Sequence, residues 1–183
     1  LTEIPFLRYL LNSFLVSAIV TVVALFFHSM AGYALARLTF PGRDAIFLAM
    51  FSTFLVSLPV IIVPLFILVR AMGMLNSYAG LIVPSIFNAF GIFLLRQYYL
   101  SLPRELEEAA AIDGCSRFGI FWRITLPLIT PGIASAFILI MILNWSQFLI
   151  PFLLLNKDPQ LPISVAIFNF AGTSNASTTQ VLA

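Results

Sequence analysis

The sequence predicts an all-α integral membrane protein: a bundle of transmembrane helices with a helix-turn-helix loop on the cytoplasmic side. Three observations predict it. Of the 183 residues, 61% are hydrophobic and only 9% charged, and the mean hydropathy is +1.07. Soluble domains carry about 25% charged residues, and a water-facing surface cannot be built from so few. Four windows carry no formal charge at all: Tyr9–Ala36, Ala45–Val69, Ala71–Leu95 and Ile124–Asn156. Each is long enough for the roughly 20 residues that cross a hydrocarbon core. Between the last two windows lies a small, alanine-rich stretch, Glu107–Pro127, that holds Glu107, Glu108 and Asp113 of the seven acidic residues. Lipid offers no partner to exposed backbone groups, so the apolar windows must be helices rather than open strands.

Composition excludes several functions. A formal net charge of +2 gives no reason to expect a nucleic-acid partner. The single cysteine, Cys115, rules out an internal disulfide or a cysteine metal cluster, and the single histidine, His28, rules out a multi-histidine site in this chain. No metal site and no catalytic residue are therefore assigned. No Ser/His/Asp set or carboxylate pair can be assembled inside the membrane.

The elements follow in order. Spans are expected near residues 10–36, 45–69, 79–96 and 127–150 of a single transmembrane domain, 1–183. His28 lies within the first. It is either a proton relay or a neutral, hydrogen-bonded histidine inside the bundle; no acid or base sits in a span to partner it. Pro59 and Pro64 in the second span, Pro84 in the third and Pro131 in the fourth are either ordinary kinks or hinges of a moving bundle. Arginine placement sets the orientation. Arg37 and Arg43 lie between spans one and two, and Arg96, Arg104, Arg117 and Arg123 between three and four. Arg8, Arg70 and Lys157 lie on the other side. Six against three puts the two arginine-bearing loops in the cytoplasm. Both ends then lie outside. No signal peptide opens the sequence at Leu1, so an earlier span is needed to deliver it. The chain is expected to lack the first and last of about six spans. Gly172–Gln180 reads as an external loop.

The stretch 101–125 reads as two short helices and a turn. Ser101-Leu102-Pro103 is a helix start, with Pro103 in the first turn. Glu105, Glu107 and Glu108 suit the positive end of a helix dipole. Asp113-Gly114 is a turn in which Gly114 takes the left-handed conformation. Ser116 then caps a second helix, Arg117–Thr125, leading to Pro127. A flush alanine surface flanked by charges suits a docking partner, and it equally suits a solvated connection.

Asn144, Trp145, Gln147 and Phe148 cluster in the outer part of the fourth span, with Asn144 roughly 24 Å from the cytoplasmic edge if the helix runs unbroken from residue 128. Aromatic and amide groups together suit a sugar. They equally suit an interfacial aromatic belt and helix–helix hydrogen bonds. Asn88 in the third span is a further pathway candidate.

The spacing Glu108-Ala109-Ala110, three residues, Gly114, nine residues, Ile124-Thr125-Leu126-Pro127 resembles the cytoplasmic loop signature of permease subunits in binding-protein-dependent ATP-binding-cassette (ABC) importers. Asn12-Ser13, "RLTFPGRDAIF" (Arg37–Phe47), "GLIVPSIFNAFGIFLLRQYYLSLPRELEEAA" (Gly80–Ala110) and "NWSQFLIPFLLL" (Asn144–Leu155) are similar to its carbohydrate-uptake, maltose-type branch. The resemblance implies a multi-pass permease of a bacterial or archaeal plasma (inner) membrane that carries a sugar or related polyol inward. It implies a second permease, two cytoplasmic ATPases and an extracytoplasmic solute-binding protein as partners. It makes 101–125 the coupling loop, with Glu108, Ala109, Ala110, Asp113, Gly114 and Arg117 at the ATPase. The chain holds no G-x-x-x-x-G-K-[ST] phosphate loop. It is thus expected not to be an enzyme and to have no cofactor of its own, with ATP-Mg on the partner subunits. A permease for a non-sugar solute and an ion-gradient-driven secondary transporter are the rival readings; the latter would want acids within the spans, and every Asp and Glu falls outside them.

Overall fold

The computed structural model describes residues 6–156 and 161–172, and every regular element among them is helical. Most of the external loop expected over Gly172–Gln180 lies outside the described residues. Helix α1 (Phe6–Arg37) is long and apolar enough to cross a membrane by itself. It holds no proline, ends on a basic residue that suits the negative end of the helix dipole, and is followed by Pro41.

The remaining expected spans are interrupted helices. Residues 45–69 are divided between α2 (Arg43–Thr53) and α3 (Leu58–Ala71). Pro59 falls in the first turn of α3, where a missing N–H costs nothing, so the break comes just before it. Residues 79–96 are divided between α4 (Tyr78–Ile86) and α5 (Ala89–Ser101), with the break at Phe87 and Asn88, shortly after Pro84. The loop helices α6 (Glu105–Ile112) and α7 (Arg117–Ile120) follow, then a π-helical stretch Phe121–Thr125 and a last turn, α8 (Leu126–Leu128). Helix α9 (Thr130–Trp145) bends by 75° from the Arg117–Leu128 segment. Helices α10 (Leu149–Leu154) and α11 (Ile163–Gly172) complete the set. Each interrupted pair, α2 with α3, α4 with α5, and Arg117–Leu128 with α9, passes the test of length and apolarity for one span when its halves are taken together.

The chain divides into two units. One is built from residues 1–20, 58–86 and 141–183, around Tyr9, Val69, Leu81, Ile150, Leu154 and Val165. The Asn12-Ser13 pair is a staple within it. Asn12 Nδ2 donates to the Leu161 carbonyl at 3.2 Å, Tyr78 Oη donates to Asn12 Oδ1, and Ser13 Oγ accepts the Ile163 N–H at 2.8 Å. These bonds satisfy backbone groups at the start of α11 that lipid could not.

The other unit is built from residues 21–57 and 87–140. Its core is Ala24, Tyr33, Ala36, Leu95, Tyr99, Phe121, Ile129 and Ala136. Here α1 and α5 run close: a Cβ on Gly32 would meet the Arg96 nitrogen at 3.1 Å. Ser29 and Tyr99 share a buried hydroxyl–hydroxyl hydrogen bond of 2.6 Å between these helices. Helix α2 buries no residue fully and leans on α5 through phenylalanine rings, with Phe51 tilted 5.0 Å from Phe93 and Phe54, just past the end of α2, stacked 5.6 Å from Phe90. The Arg96 guanidinium sits 4.0 Å over the Phe47 ring, a contact that strengthens where water is thin.

Candidate functional site

The loop expected on the cytoplasmic side begins later than the sequence predicts. Helix α5 runs through Ser101, whose hydroxyl donates back to the Tyr98 carbonyl, so Ser101 closes a helix rather than opening one. Leu102 is extended (φ −73°, ψ 142°), as a residue before proline is driven to be. Pro103 therefore precedes the loop helix instead of lying in it. Arg104 occupies the cap without a side-chain bond, and its carbonyl accepts the Glu107 and Glu108 N–H groups.

The turn itself is as the sequence predicts. Gly114 has φ +83°. The Cys115 N–H donates to the Ala110 carbonyl at 2.9 Å and the Gly114 N–H to the Ala111 carbonyl at 3.1 Å. This pair of bonds is the Schellman arrangement that satisfies carbonyls at a helix end. Ser116 Oγ accepts the Gly119 N–H at 3.1 Å and caps α7. The second loop helix, expected to be regular through Thr125, widens to π geometry from Phe121: the Leu126 N–H reaches back to the Phe121 carbonyl. Pro127 has no N–H and crowds the carbonyl four residues before it, and the wider turn lies just ahead of that crowding.

Glu108, Ala109, Asp113, Gly114 and Arg117 all lie on the exposed side of the loop. Ala110 does not. It is 6% exposed, one of the two buried residues of α6, and its carbonyl accepts the Cys115 N–H at the turn. Two apolar residues that the sequence reading left out stand on the open side. Ile112 is 86% exposed and Phe118 64% exposed. Only their place beside the signature, inside a loop expected to face water, could have marked them, because side chains like these ordinarily seek burial.

Beneath the loop is a charge cluster that the sequence reading also missed. Arg37, at the end of α1, pairs with Glu107 of α6 at 3.0 Å, with the two side chains only 3% and 9% exposed. The same guanidinium donates to the carbonyls of Tyr99 and Leu102. Tyr33 Oη donates to the other Glu107 oxygen at 3.4 Å. A cleft of about 530 Å³ opens beside this cluster, lined by Phe40, Arg104, Glu108 and Arg117 among others.

The solute-pathway candidates separate. Asn144 and Trp145 form the last turn of α9, about 21 Å along that helix from Thr130. That path is shorter than the unbroken count because the chain bends at Ile129. Gln147 and Phe148 occupy the break before α10. All four are half-buried. Phe148 packs with Phe152 at 5.1 Å and Phe168 at 5.1 Å, and Ser164 Oγ donates to the Gln147 carbonyl. Asn88 belongs to the other unit and works as a helix cap: its side-chain oxygen accepts the Phe90 N–H at 2.8 Å. Its own N–H donates to His28 Nε2 at 3.1 Å. His28 is fully buried and is hydrogen-bonded within the bundle. Its ring packs against Gly91, where a Cβ would run into Nδ1. Among the described residues no three His, Cys, Asp or Glu side chains converge on a metal-sized space.

Residues 28–183 match the protein family described as "Binding-protein-dependent transport system inner membrane component". The chain is similar to the arabinooligosaccharides transport system permease protein AraQ of Bacillus subtilis, 37% identical over 88% of this chain and 58% of the relative. It is similar to the polygalacturonan/rhamnogalacturonan transport system permease protein YtcP of the same organism, 37% identical over 87% of this chain and 55% of the relative. It is also similar to the sn-glycerol-3-phosphate transport system permease protein UgpE of Yersinia pestis, 36% identical over 95% of this chain and 62% of the relative. Among solved structures it resembles a chain of a bacterial ABC transporter involved in the import of the acidic polysaccharide alginate, with a TM-score of 0.85 and 26% identity over 95% of this chain and 61% of that one. The chain thus spans 55% to 62% of the length of these proteins.

Proposed function

The chain belongs to the family of binding-protein-dependent transport system inner membrane components, and from that premise we propose that it is the membrane-spanning part of an ATP-driven importer of a sugar or related polyol. The observation that carries this reading is the loop. A turn pinned by Gly114 presents Glu108, Ala109, Asp113 and Arg117, with Ile112 and Phe118 beside them, on a face that nothing among the described residues covers. Small side chains at its centre let another backbone approach, and the apolar pair supplies area to bury. The proposed occupant is a cytoplasmic ATPase, one of two serving this chain and a second permease, with a solute-binding protein outside. ATP and its magnesium bind on those ATPases, and this chain does no covalent chemistry. Its residues receive a displacement and convert it into a change of access across a multi-pass bundle in the bacterial or archaeal inner membrane.

The four proposed spans are α1, α2 with α3, α4 with α5, and α9 with the segment that leads into it. The names of these relatives, two of the three naming saccharides, support a sugar. Asn144, Trp145, Gln147 and Phe148 are the residues proposed to meet it.

Cys115, the only thiol in the chain, tests the docking and the orientation together. It should resist an impermeant maleimide in intact cells. It should react in inside-out vesicles stripped of the ATPase, and be shielded when the ATPase rebinds. Labelling in intact cells would overturn the orientation, and labelling indifferent to the ATPase would overturn the docking.

A further inference from the structure

The buried cluster lies under the loop and holds it to two membrane helices. Its logic starts at the end of α5. The last carbonyls of any helix lack intrahelical donors. Here Pro103 follows, which has no N–H to offer, and Leu102 is held extended. The Tyr99 carbonyl takes only the Leu102 N–H, at 3.3 Å, from the backbone. The Arg37 guanidinium supplies the missing donors, reaching the Tyr99 and Leu102 carbonyls at once. Its remaining edge faces Glu107 in the first turn of α6 at 3.0 Å. One planar group therefore joins the end of α1, the end of α5 and the start of the loop helix. Lysine gathers its donors on one nitrogen and lacks the planar fork that sets these partners at fixed angles. Tyr33 of α1 adds a second tie to Glu107, and its ring lies 5.4 Å from Tyr99 and 5.1 Å from Phe121.

We propose that Arg37 and Glu107 are the positioning residues that carry displacement of the loop into the membrane helices. The pair makes α6 move as one body with α1 and α5. A buried ion pair adds little net stability relative to a well-packed apolar replacement. What it does supply is a fixed geometry, because breaking it strands a charge. Sequence neighbours divide the work. Glu108 faces outward to the ATPase, while Glu107, one residue earlier and about 100° around the helix, faces inward to Arg37.

The inference rests on the docking reading of the loop, so its test separates the two. The full-length protein containing this chain is reconstituted in proteoliposomes with its second permease and ATPases. The probe is the solute-binding protein, purified with whatever ligand it carries from the cell. Three quantities are read for wild type, Glu107→Gln and Arg37→Lys: ATPase affinity, basal hydrolysis per assembled complex, and the ratio of hydrolysis with the binding protein to hydrolysis without it. Both variants should keep affinity and basal hydrolysis. The stimulation ratio should fall by roughly five-fold or more, the lower end of ordinary coupling between sites. Glu107→Gln keeps an oxygen for Arg37 and Tyr33, and so guards against simple misfolding. Unchanged stimulation in both variants overturns the inference. So does a loss of basal hydrolysis in step with stimulation, which would make the pair only a structural brace. A wild-type complex that fails to bind its ATPase sinks the docking reading, and this inference with it.

Discussion

Gly114 offers the cleanest separation of backbone geometry from surface chemistry. Its φ of +83° lies in the left-handed region, and a Cβ built there meets no atom within 4 Å. A Gly114→Ala side chain would thus touch nothing among the described residues, and its cost there is backbone strain alone, roughly 1–2 kcal/mol for a residue with a Cβ. That strain falls on the turn that closes α6 through the Cys115-to-Ala110 bond. If the ATPase requires the two loop helices at their present angle, the whole penalty appears in association. An increase of about 5- to 30-fold in the dissociation constant follows, at about 1.4 kcal/mol per ten-fold. Gly114→Asn is the control, since asparagine tolerates the left-handed conformation. It should lose little by strain but places a larger side chain on the docking face. The assay is titration of purified ATPase onto the full-length permease in nanodiscs, with helicity checked by circular dichroism. If Ala weakens binding more than Asn, turn geometry is what the ATPase reads. If Asn weakens it more, the open face is read by size. Equal, unchanged affinity for both variants would refute the idea that this turn is a docking element.

Two further outcomes are expected. Trp145→Ala should lower uptake while leaving the assembled complex intact, with a lost stacking contact on the order of 1 kcal/mol; unchanged uptake of the native solute would return Trp145 to a packing role. Around His28, Gly91→Ala should destabilise the protein by about 1–3 kcal/mol through overpacking, and His28→Leu by a similar 1–3 kcal/mol because the Asn88 N–H loses its acceptor. His28→Gln, which retains an acceptor, should recover part of that loss, and thermal unfolding in detergent that ranks Gln no better than Leu would count against the hydrogen bond as the cause.

What the sequence revealed and what it hid divide along a physical line. Apolarity reports which segments lipid can surround, and the long helices overlap the four charge-free windows. Apolarity says nothing about continuity. Whether a helix survives a proline depends on what satisfies the groups it frees, and those partners are remote in sequence. The break at Phe87 and Asn88 is held by His28, 60 residues away, while Pro64 passes through α3 with no break at all. Local rules fared better in the loop, because capping and left-handed turns are settled within a few residues: Gly114 and Ser116 behave as their own chemistry dictates. The start of the loop helix was misplaced for an equally local reason. Ser101 and Pro103 fit a helix start, but α5 simply runs on until the residue before proline stops it. The hardest distinction was between two adjacent glutamates. Composition and helix dipole treat Glu107 and Glu108 alike. Only the i, i+3 pairing of Glu107 with Ala110 against the packed side, and a guanidinium waiting at the end of α1, assign one to hold the loop and leave the other on its exposed face.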